Sequence, residues 1–149
     1  MNSNKQIYVF LLIQLAMISF SYTEAVLEGY EGWAKDRKVW RFKVSKNHDY
    51  TSYHLVTYYI LFPLVIIALP LLVAGFSWQL FWLLLASYLI GSIFEDFMWF
   101  VFNPERPLKK WNPKDTTWYP WLVIKRFALP VSYVVKFVIG VLMLVFLVG

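Results

Sequence analysis

The chain has no cysteine among its 149 residues. Disulfides, thiolate metal sites and cysteine nucleophiles are therefore excluded, and metal or acid–base chemistry is left to oxygen and imidazole side chains. Glycine is also scarce, with 6 residues scattered along the chain, too dispersed for a phosphate-binding loop or a dinucleotide fingerprint. Gly-x-Ser-x-Gly, His-Glu-x-x-His and Glu-x-x-His do not occur, so the usual signatures of esterases, zinc proteases and di-iron bundles are missing.

Charged residues are few as well, at 15% of the chain, whereas 60% of the residues are hydrophobic and 21% are aromatic. This composition is typical of a membrane protein and lies well away from soluble domains. The formal net charge of +5 does not predict a nucleic-acid partner, because the basic residues lie in segments beside apolar stretches, where they meet lipid headgroups. The predicted partner is the lipid bilayer, with no nucleic acid.

Four apolar stretches predict transmembrane helices at about residues 7–27, 54–76, 78–102 and 129–148. A helix of ~20 residues crosses the ~30 Å hydrocarbon layer, and continuous apolar runs exclude the alternating pattern of a barrel strand. The predicted fold is a single all-α membrane domain over residues 1–149, a four-helix transmembrane bundle. Pro63 and Pro70 predict kinks in the second helix.

The first stretch has two interpretations, since a polar start, an apolar core and a polar end also describe a secretory signal peptide. Ala25 follows Thr23 and Glu24, without a small residue at the usual position upstream of a cleavage site, so a retained helix is favoured.

Orientation follows from the basic residues of the two long connectors, because loops rich in lysine and arginine stay in the cytoplasm. They are Lys35, Arg37, Lys38, Arg41, Lys43 and Lys46 in the first, and Arg106, Lys109, Lys110, Lys114, Lys125 and Arg126 in the second. A multi-pass cell-membrane protein with both termini extracytoplasmic is predicted. The second connector, rich in proline and tryptophan, predicts an ordered, non-helical cytoplasmic cap, and the alternating segment from Val39 to Ser45 predicts a short extended stretch.

Glu95 and Asp96 are adjacent carboxyl residues within the third apolar stretch, which carries no other charge between Trp78 and Phe102. A carboxyl in the hydrocarbon layer costs several kcal/mol unless it is paired, protonated or hydrated, and it marks a functional site by default. These two residues are the strongest site signal in the chain.

A structural ion pair between Glu95 and Lys136 is the first hypothesis for that signal, because Lys136 is the only charge in the fourth stretch and lies at a similar depth. Each helix also carries a stripe of small residues that favours close packing. The stripes are Ser87, Gly91 and Glu95 on the third helix, and Ser132, Lys136 and Gly140 on the fourth. Antiparallel packing would place Gly91 opposite Gly140.

Asp96 points about 100° away from Glu95 around the helix, so it needs other partners, of which His54, Tyr58 and Tyr59 are candidates. The sharper hypothesis gathers carboxylates and one imidazole into a site for a divalent transition metal such as zinc, manganese or iron. Its predicted ligands are Glu24, Glu28, His54, Glu95 and Asp96, with Glu31 and His48 as further candidates. The competing interpretation makes the first-helix glutamates a solvated face.

Three functions remain open from the sequence. The favoured one is a helical subunit or scaffold of a membrane complex or homo-oligomer, whose buried charges set packing or meet a partner's charges. The second is a membrane-embedded enzyme at the cytoplasmic interface that acts on a lipid-type substrate, with Asp96, Glu95 and His54 as catalytic residues. The third is proton or cation translocation, for which Gln14 is the obvious deep polar group of the first helix.

Overall fold

The computed structural model of the protein describes residues 1–29, 38–45 and 48–148, without the side chains of residues 44, 45, 48 and 49. Within these residues the chain is mostly helical, and four helices are long and apolar enough to cross a membrane. They are α1 (Ser3–Glu28), α2 (Ser52–Ala74), α3 (Trp78–Phe102) and α4 (Val131–Val148). Each lies where an apolar stretch predicted a helix.

α3 is the central helix, and one of its faces packs along α1. Gln14 Nε2 of α1 donates to the carbonyl oxygen of Ser87 at 3.0 Å. A Cβ atom at Gly91 would lie 2.8 Å from Cγ of Met17, so glycine is needed there for the two helices to approach. The stripe of Ser87 and Gly91 therefore faces α1.

A second face of α3 packs against α4. At Gly140 a Cβ atom would lie 2.7 Å from Cγ1 of Ile90 and 3.4 Å from the carbonyl oxygen of Ala86. The expected contact of Gly91 with Gly140 is therefore wrong, because Gly140 packs on Ile90, which lies about 100° around the helix from Gly91. Both stripes mark close packing, but against different partners.

The ends of the helices define two ends of the bundle. The Met1 amino group donates to Gln79 Oε1 at 2.8 Å, and Gln79 Nε2 donates to the carbonyl oxygen of Val148 at 3.0 Å. At the opposite end, Asn103 Nδ2 donates to the carbonyl oxygen of Gly29 at 2.8 Å. The N-terminus, the turn before α3 and the end of α4 thus lie together, away from the connectors.

α2 is irregular at the point where proline predicted a distortion. It widens into π-helical turns over Thr57–Leu61 and Pro63–Ala68. The amide of Phe62 donates to Thr57, five residues back, and Pro63 has no amide hydrogen to offer. The carbonyl of Tyr58 is left for another donor, and the Tyr88 hydroxyl of α3 supplies the hydrogen bond.

Two antiparallel hairpins accompany the helices at the connector end, so the fold is not purely helical as predicted. They pair β1 (Arg41–Ser45) with β2 (His48–Thr51), and β3 (Trp121–Ile124) with β4 (Phe127–Pro130). The extended segment expected up to Ser45 corresponds to β1. The second hairpin was not predicted, because its strands are apolar throughout and lack the alternation that signals a half-buried strand.

The cap between α3 and β3 is ordered by hydrogen bonds from buried side chains. Asn103 Oδ1 accepts from the amides of Glu105 and Arg106 at 3.0 and 3.1 Å. The Arg106 guanidinium lies 4.5 Å from the ring centroid of Trp118. Lys110 and Asp115 pair at 2.7 Å on the exposed side, where the Lys110 ammonium holds the pKa of the Asp115 carboxyl below its usual range. The cap is therefore ordered, and its Trp118 ring lies against the ends of the helices.

Candidate functional site

A cavity of about 440 Å³ lies at the connector end of the bundle. All four helices and the cap contribute to its walls, and so each polar group there is positioned by a rigid element. All five residues predicted as metal ligands line it, namely Glu24, Glu28, His54, Glu95 and Asp96. Polar residues from distant parts of the chain therefore converge on one space.

Glu24, Glu28 and His54 form the most compact group in the cavity. One ligand atom from each lies within 4.8 Å of the other two, and His54 Nε2 is 3.2 Å from Glu28 Oε1. The i, i+4 spacing on α1 puts both glutamates on one face. On the other side of the imidazole, Nδ1 lies 2.7 Å from Thr51 Oγ1, the N-cap of α2. The ring is thus held with Nε2 towards the carboxylates.

Glu95 lies beside Glu24. The two carboxyl groups are within hydrogen-bonding reach of each other, and the Tyr58 hydroxyl lies 3.0 and 2.9 Å from the two Glu24 oxygens, to which it donates. Glu95 is 2% exposed, and its Oε1 receives no hydrogen bond from any described residue. Two carboxylates this close cannot both stay ionised unless a cation or a shared proton separates them.

Asp96 has a different environment, because it faces α4 and the cap. The Tyr119 hydroxyl donates to Asp96 Oδ1 at 2.6 Å. Lys136 and Tyr133 of α4 are also close enough to stabilise the Asp96 carboxylate. Asp96 therefore accepts a hydrogen bond from a tyrosine of the cap and lies within electrostatic reach of a lysine of α4.

Electrostatics at the rim agree with this hydrogen bond. Burial, and after it the negative charge of Asp96, raises the pKa of Tyr119 well above its usual value. Burial also raises the pKa of Tyr50, whose hydroxyl lies 3.4 Å from that of Tyr59. Both phenols therefore stay protonated at neutral pH. Tyr119 donates to Asp96, and the Tyr50 hydroxyl accepts from Tyr59.

The structure corrects the ion pair expected between Glu95 and Lys136. No salt bridge joins these two residues in the described part of the chain, and Lys136 acts on Asp96 instead. The physical reason is the rotation of α3, which turns Glu95 towards α1 and Asp96 towards α4. Among the partners suggested for Asp96, Tyr58 binds Glu24. Glu31 and the His48 side chain, suggested as further metal ligands, lie outside the described residues.

Sequence reasoning missed Tyr119 and Tyr88. Aromatic residues in such a connector are typical of a belt at the lipid headgroups, yet Trp118 and Tyr119 turn inwards and line the cavity. For α4 the sequence did contain a usable pattern, because Tyr133 and Lys136 are three residues apart and therefore share a helix face. For Tyr119 in the irregular cap no pattern in the sequence gave the direction of the side chain.

The charge of the cavity determines which kind of ligand it can bind. Four carboxyls line it, and among the described lining residues Lys136 is the only lysine or arginine. Buried charge without compensation costs several kcal/mol per ion. A divalent cation beside Glu24, Glu28 and His54 would remove most of the excess, and histidine with carboxylates suits zinc, manganese or iron.

Comparisons with protein-family models, curated proteins and solved structures found no match to the chain. The functional conclusion therefore depends on the geometry of the cavity. That geometry is a buried group of two glutamates and a histidine, a third glutamate with a buried oxygen that receives no hydrogen bond from the described part of the chain, and an open space beside them.

Proposed function

We propose that the chain is a membrane-embedded enzyme with a divalent transition-metal ion held by Glu24, Glu28 and His54. The observation that carries the proposal is the group of three ligand atoms within 4.8 Å of one another in the wall of a cavity. Structural metal sites are closed by four protein ligands, whereas catalytic sites have three and an open position. Three ligands beside a cavity of about 440 Å³ fit the catalytic type.

The metal would act as a Lewis acid that polarises an oxygen atom of a substrate or activates a water. Glu95 is suited to the proton transfer that accompanies this step, because its buried carboxyl lies against Glu24 and has an oxygen that no described residue donates to. Asp96 with Tyr119 would orient the wall of the cavity opposite the metal. These roles use the predicted catalytic residues Asp96, Glu95 and His54.

A role as a subunit or scaffold remains a prediction with less support. That role was proposed because buried charges can meet the charges of a partner, but the carboxyls of Glu24, Glu28, Glu95 and Asp96 face one cavity between the helices and the cap. Proton translocation along α1 has less support too, because both contacts recorded for Gln14 Nε2 are to helix carbonyl oxygens, of Phe10 and Ser87.

The test is a metal analysis of the purified protein and of single variants. Protein loaded separately with zinc, manganese or iron(II), then gel-filtered, should retain close to one equivalent of the preferred ion. Glu24→Gln, Glu28→Gln and His54→Gln should each lower the retained metal at least tenfold, since each removes a ligand. Glu105→Gln is the matched control, because Glu105 is an exposed carboxylate of the cap.

Circular dichroism and elution volume establish that each variant is folded. Retention below about one-tenth equivalent in the wild-type protein, or equal retention in the ligand variants and Glu105→Gln, would overturn the metal assignment. Metal added to the wild-type protein should also raise its melting temperature, because a ligand at 100 times its dissociation constant stabilises a fold by about 2.7 kcal/mol.

A further inference from the structure

The cavity extends along the apolar part of α2. Its polar end holds Glu28 and His54 near the start of α2, and its lining continues along α2 to Pro63. Pro63 is eleven residues after Ser52, the first residue of α2, so the lining spans about three turns of that helix. The cavity thus continues from the polar start of α2 into the apolar stretch that is long enough to cross a membrane.

The side of the cavity lies between α2 and α4. Pro63 and Tyr59 line it from α2, Ser132 and Lys136 line it from α4, and Leu89 lines it from α3. α2 and α4 share no extended interface in the described part of the chain. Only 6% of the most apolar window of α2 is buried, against 44% for α3. A membrane-dissolved molecule can therefore enter sideways between α2 and α4.

The polarity of the walls matches an amphiphile. Carboxyls, His54 and the rings of Trp99 and Trp118 line the end near the cap, whereas Pro63 and Leu89 line the deeper part. A hydrocarbon chain gains free energy from the apolar end in proportion to the area it buries, and an oxygen atom gains it from the polar end.

The cavity already has an excess of acidic groups. Four carboxyls line it, and Lys136 is the only lysine or arginine among its described lining residues, so even a bound divalent cation would leave no positive charge in excess. An anionic head would add an uncompensated charge in a buried place, which is costly. A neutral head with an oxygen atom adds none and can occupy the open position of the metal.

We propose that the cavity binds a single-chain lipid with a neutral, oxygen-bearing head, such as a long-chain alcohol, aldehyde or ester, which enters from the bilayer between α2 and α4. The position of the head rests on the proposed metal centre, whereas the lateral entry and the chain-binding wall rest on the cavity itself. The proposal names the substrate class of the enzyme.

The probe for this proposal is a hexadecanol that carries a photoreactive diazirine in its chain. The full-length protein in bilayer nanodiscs is irradiated with it, and the labelled residues are mapped by mass spectrometry. We expect saturable labelling around Pro63 and Leu89 that excess hexadecanol lowers at least tenfold. Hexadecyl phosphate and butanol should compete at least tenfold less well, since one is anionic and the other has no long chain.

Two variants close the entrance and one serves as their control. Ser132→Trp and Leu89→Trp place a large ring in the wall and should each reduce the competed labelling at least tenfold. Val135→Trp adds the same ring to α4 at a residue that is 49% exposed and absent from the cavity wall, so its labelling should equal that of the wild-type protein. Elution volume confirms that the variants are folded.

Labelling that hexadecanol does not compete, or that survives both blocking variants, would overturn the proposal. Equal competition by hexadecyl phosphate would overturn the neutral head. Metal content is measured on the same samples. Competed labelling without metal refutes the metal centre alone, and retained metal without competed labelling refutes the lipid site alone.

Discussion

The Tyr119 hydroxyl donates a hydrogen bond of 2.6 Å to Asp96 Oδ1 and joins the cap to the central helix. The two residues are 23 positions apart in the chain. Through this bond the irregular segment after α3 becomes part of the cavity wall. The donor to Asp96 Oδ1 therefore belongs to the cap and not to a transmembrane helix.

Removal of this donor should destabilise the protein and change its response to alkaline pH. Tyr119→Phe should lower the free energy of unfolding by about 1–3 kcal/mol, because Asp96 loses a buried hydrogen bond. The raised pKa of Tyr119 means that its stabilisation is complete below the unfolded pKa of about 10 and is lost as the pH rises towards the folded pKa.

Unfolding free energies of the wild-type protein and Tyr119→Phe between pH 8 and about pH 11 test this sign. The wild-type protein should lose stability more steeply above about pH 10, by up to about 1.4 kcal/mol per pH unit. Parallel pH profiles for the two proteins would show that the phenol is not held in its neutral form by the fold.

A double-mutant cycle should couple Lys136 to Asp96 and leave Glu95 uncoupled. Asp96→Asn should be less destabilising in a Lys136→Met background than in the wild-type protein, by about 0.5–3 kcal/mol. Glu95→Gln should have the same effect in both backgrounds, because Glu95 faces Glu24. Reversible unfolding in mixed micelles measures all six proteins. Coupling of Lys136 to Glu95 in place of Asp96 would restore the ion pair first expected.

Gly91→Val should separate α1 from α3 and cost about 1–3 kcal/mol through overpacking. In a Met17→Ala background the same change should cost less, since the Cγ atom that the new Cβ would meet at 2.8 Å is gone. Met143→Ala on α4 is the matched truncation and should give no such relief. Relief by Met143→Ala but not by Met17→Ala would place Gly91 against α4.

Tyr88→Phe should destabilise α2 by about 1–3 kcal/mol, because it leaves the carbonyl of Tyr58 without a donor. Pro63→Ala restores an amide hydrogen and lets the helix close that carbonyl itself. The cost of Tyr88→Phe should therefore be smaller in the Pro63→Ala background, as measured by thermal unfolding. An equal cost in both backgrounds would mean that Tyr88 does not replace the missing amide.

Asn103→Ala should loosen the junction of α1, α3 and the cap. Asn103 is 1% exposed, donates to the Gly29 carbonyl and accepts from two cap amides, so its loss should cost about 2–4 kcal/mol. Hydrogen exchange should rise at residues 103–106 more than elsewhere. Asn4→Ala, at an exposed site of α1, is the control and should change neither quantity.

The helices could be predicted from the sequence because hydropathy over ~20 residues reports directly on the ability to cross a bilayer. The stretch predicted at residues 78–102 coincides with α3, Trp78–Phe102. The group of Glu24, Glu28 and His54 could also be proposed, since i, i+4 spacing and an adjacent helix start give the right faces.

The pairing of helix faces could not be predicted, because a small-residue stripe says that a neighbour is close without saying which neighbour. Gly91 packs against Met17 of α1, and Gly140 packs against Ile90. Because the helix faces pair in this way, Lys136 acts on Asp96 and not on Glu95. Tyr119 escaped prediction for a further reason, since its direction depends on turns in the cap with neither helical nor strand periodicity.

Glu95 and Asp96 are consecutive residues of one helix, yet Glu95 contacts α1 and Asp96 contacts α4 and the cap. One helix, α3, therefore carries two separate sets of polar contacts. A rotation of α3 about its own axis cannot move one carboxyl and leave the other in place. A turn of α3 that strains the Asp96–Tyr119 hydrogen bond would therefore also shift Glu95 relative to Glu24.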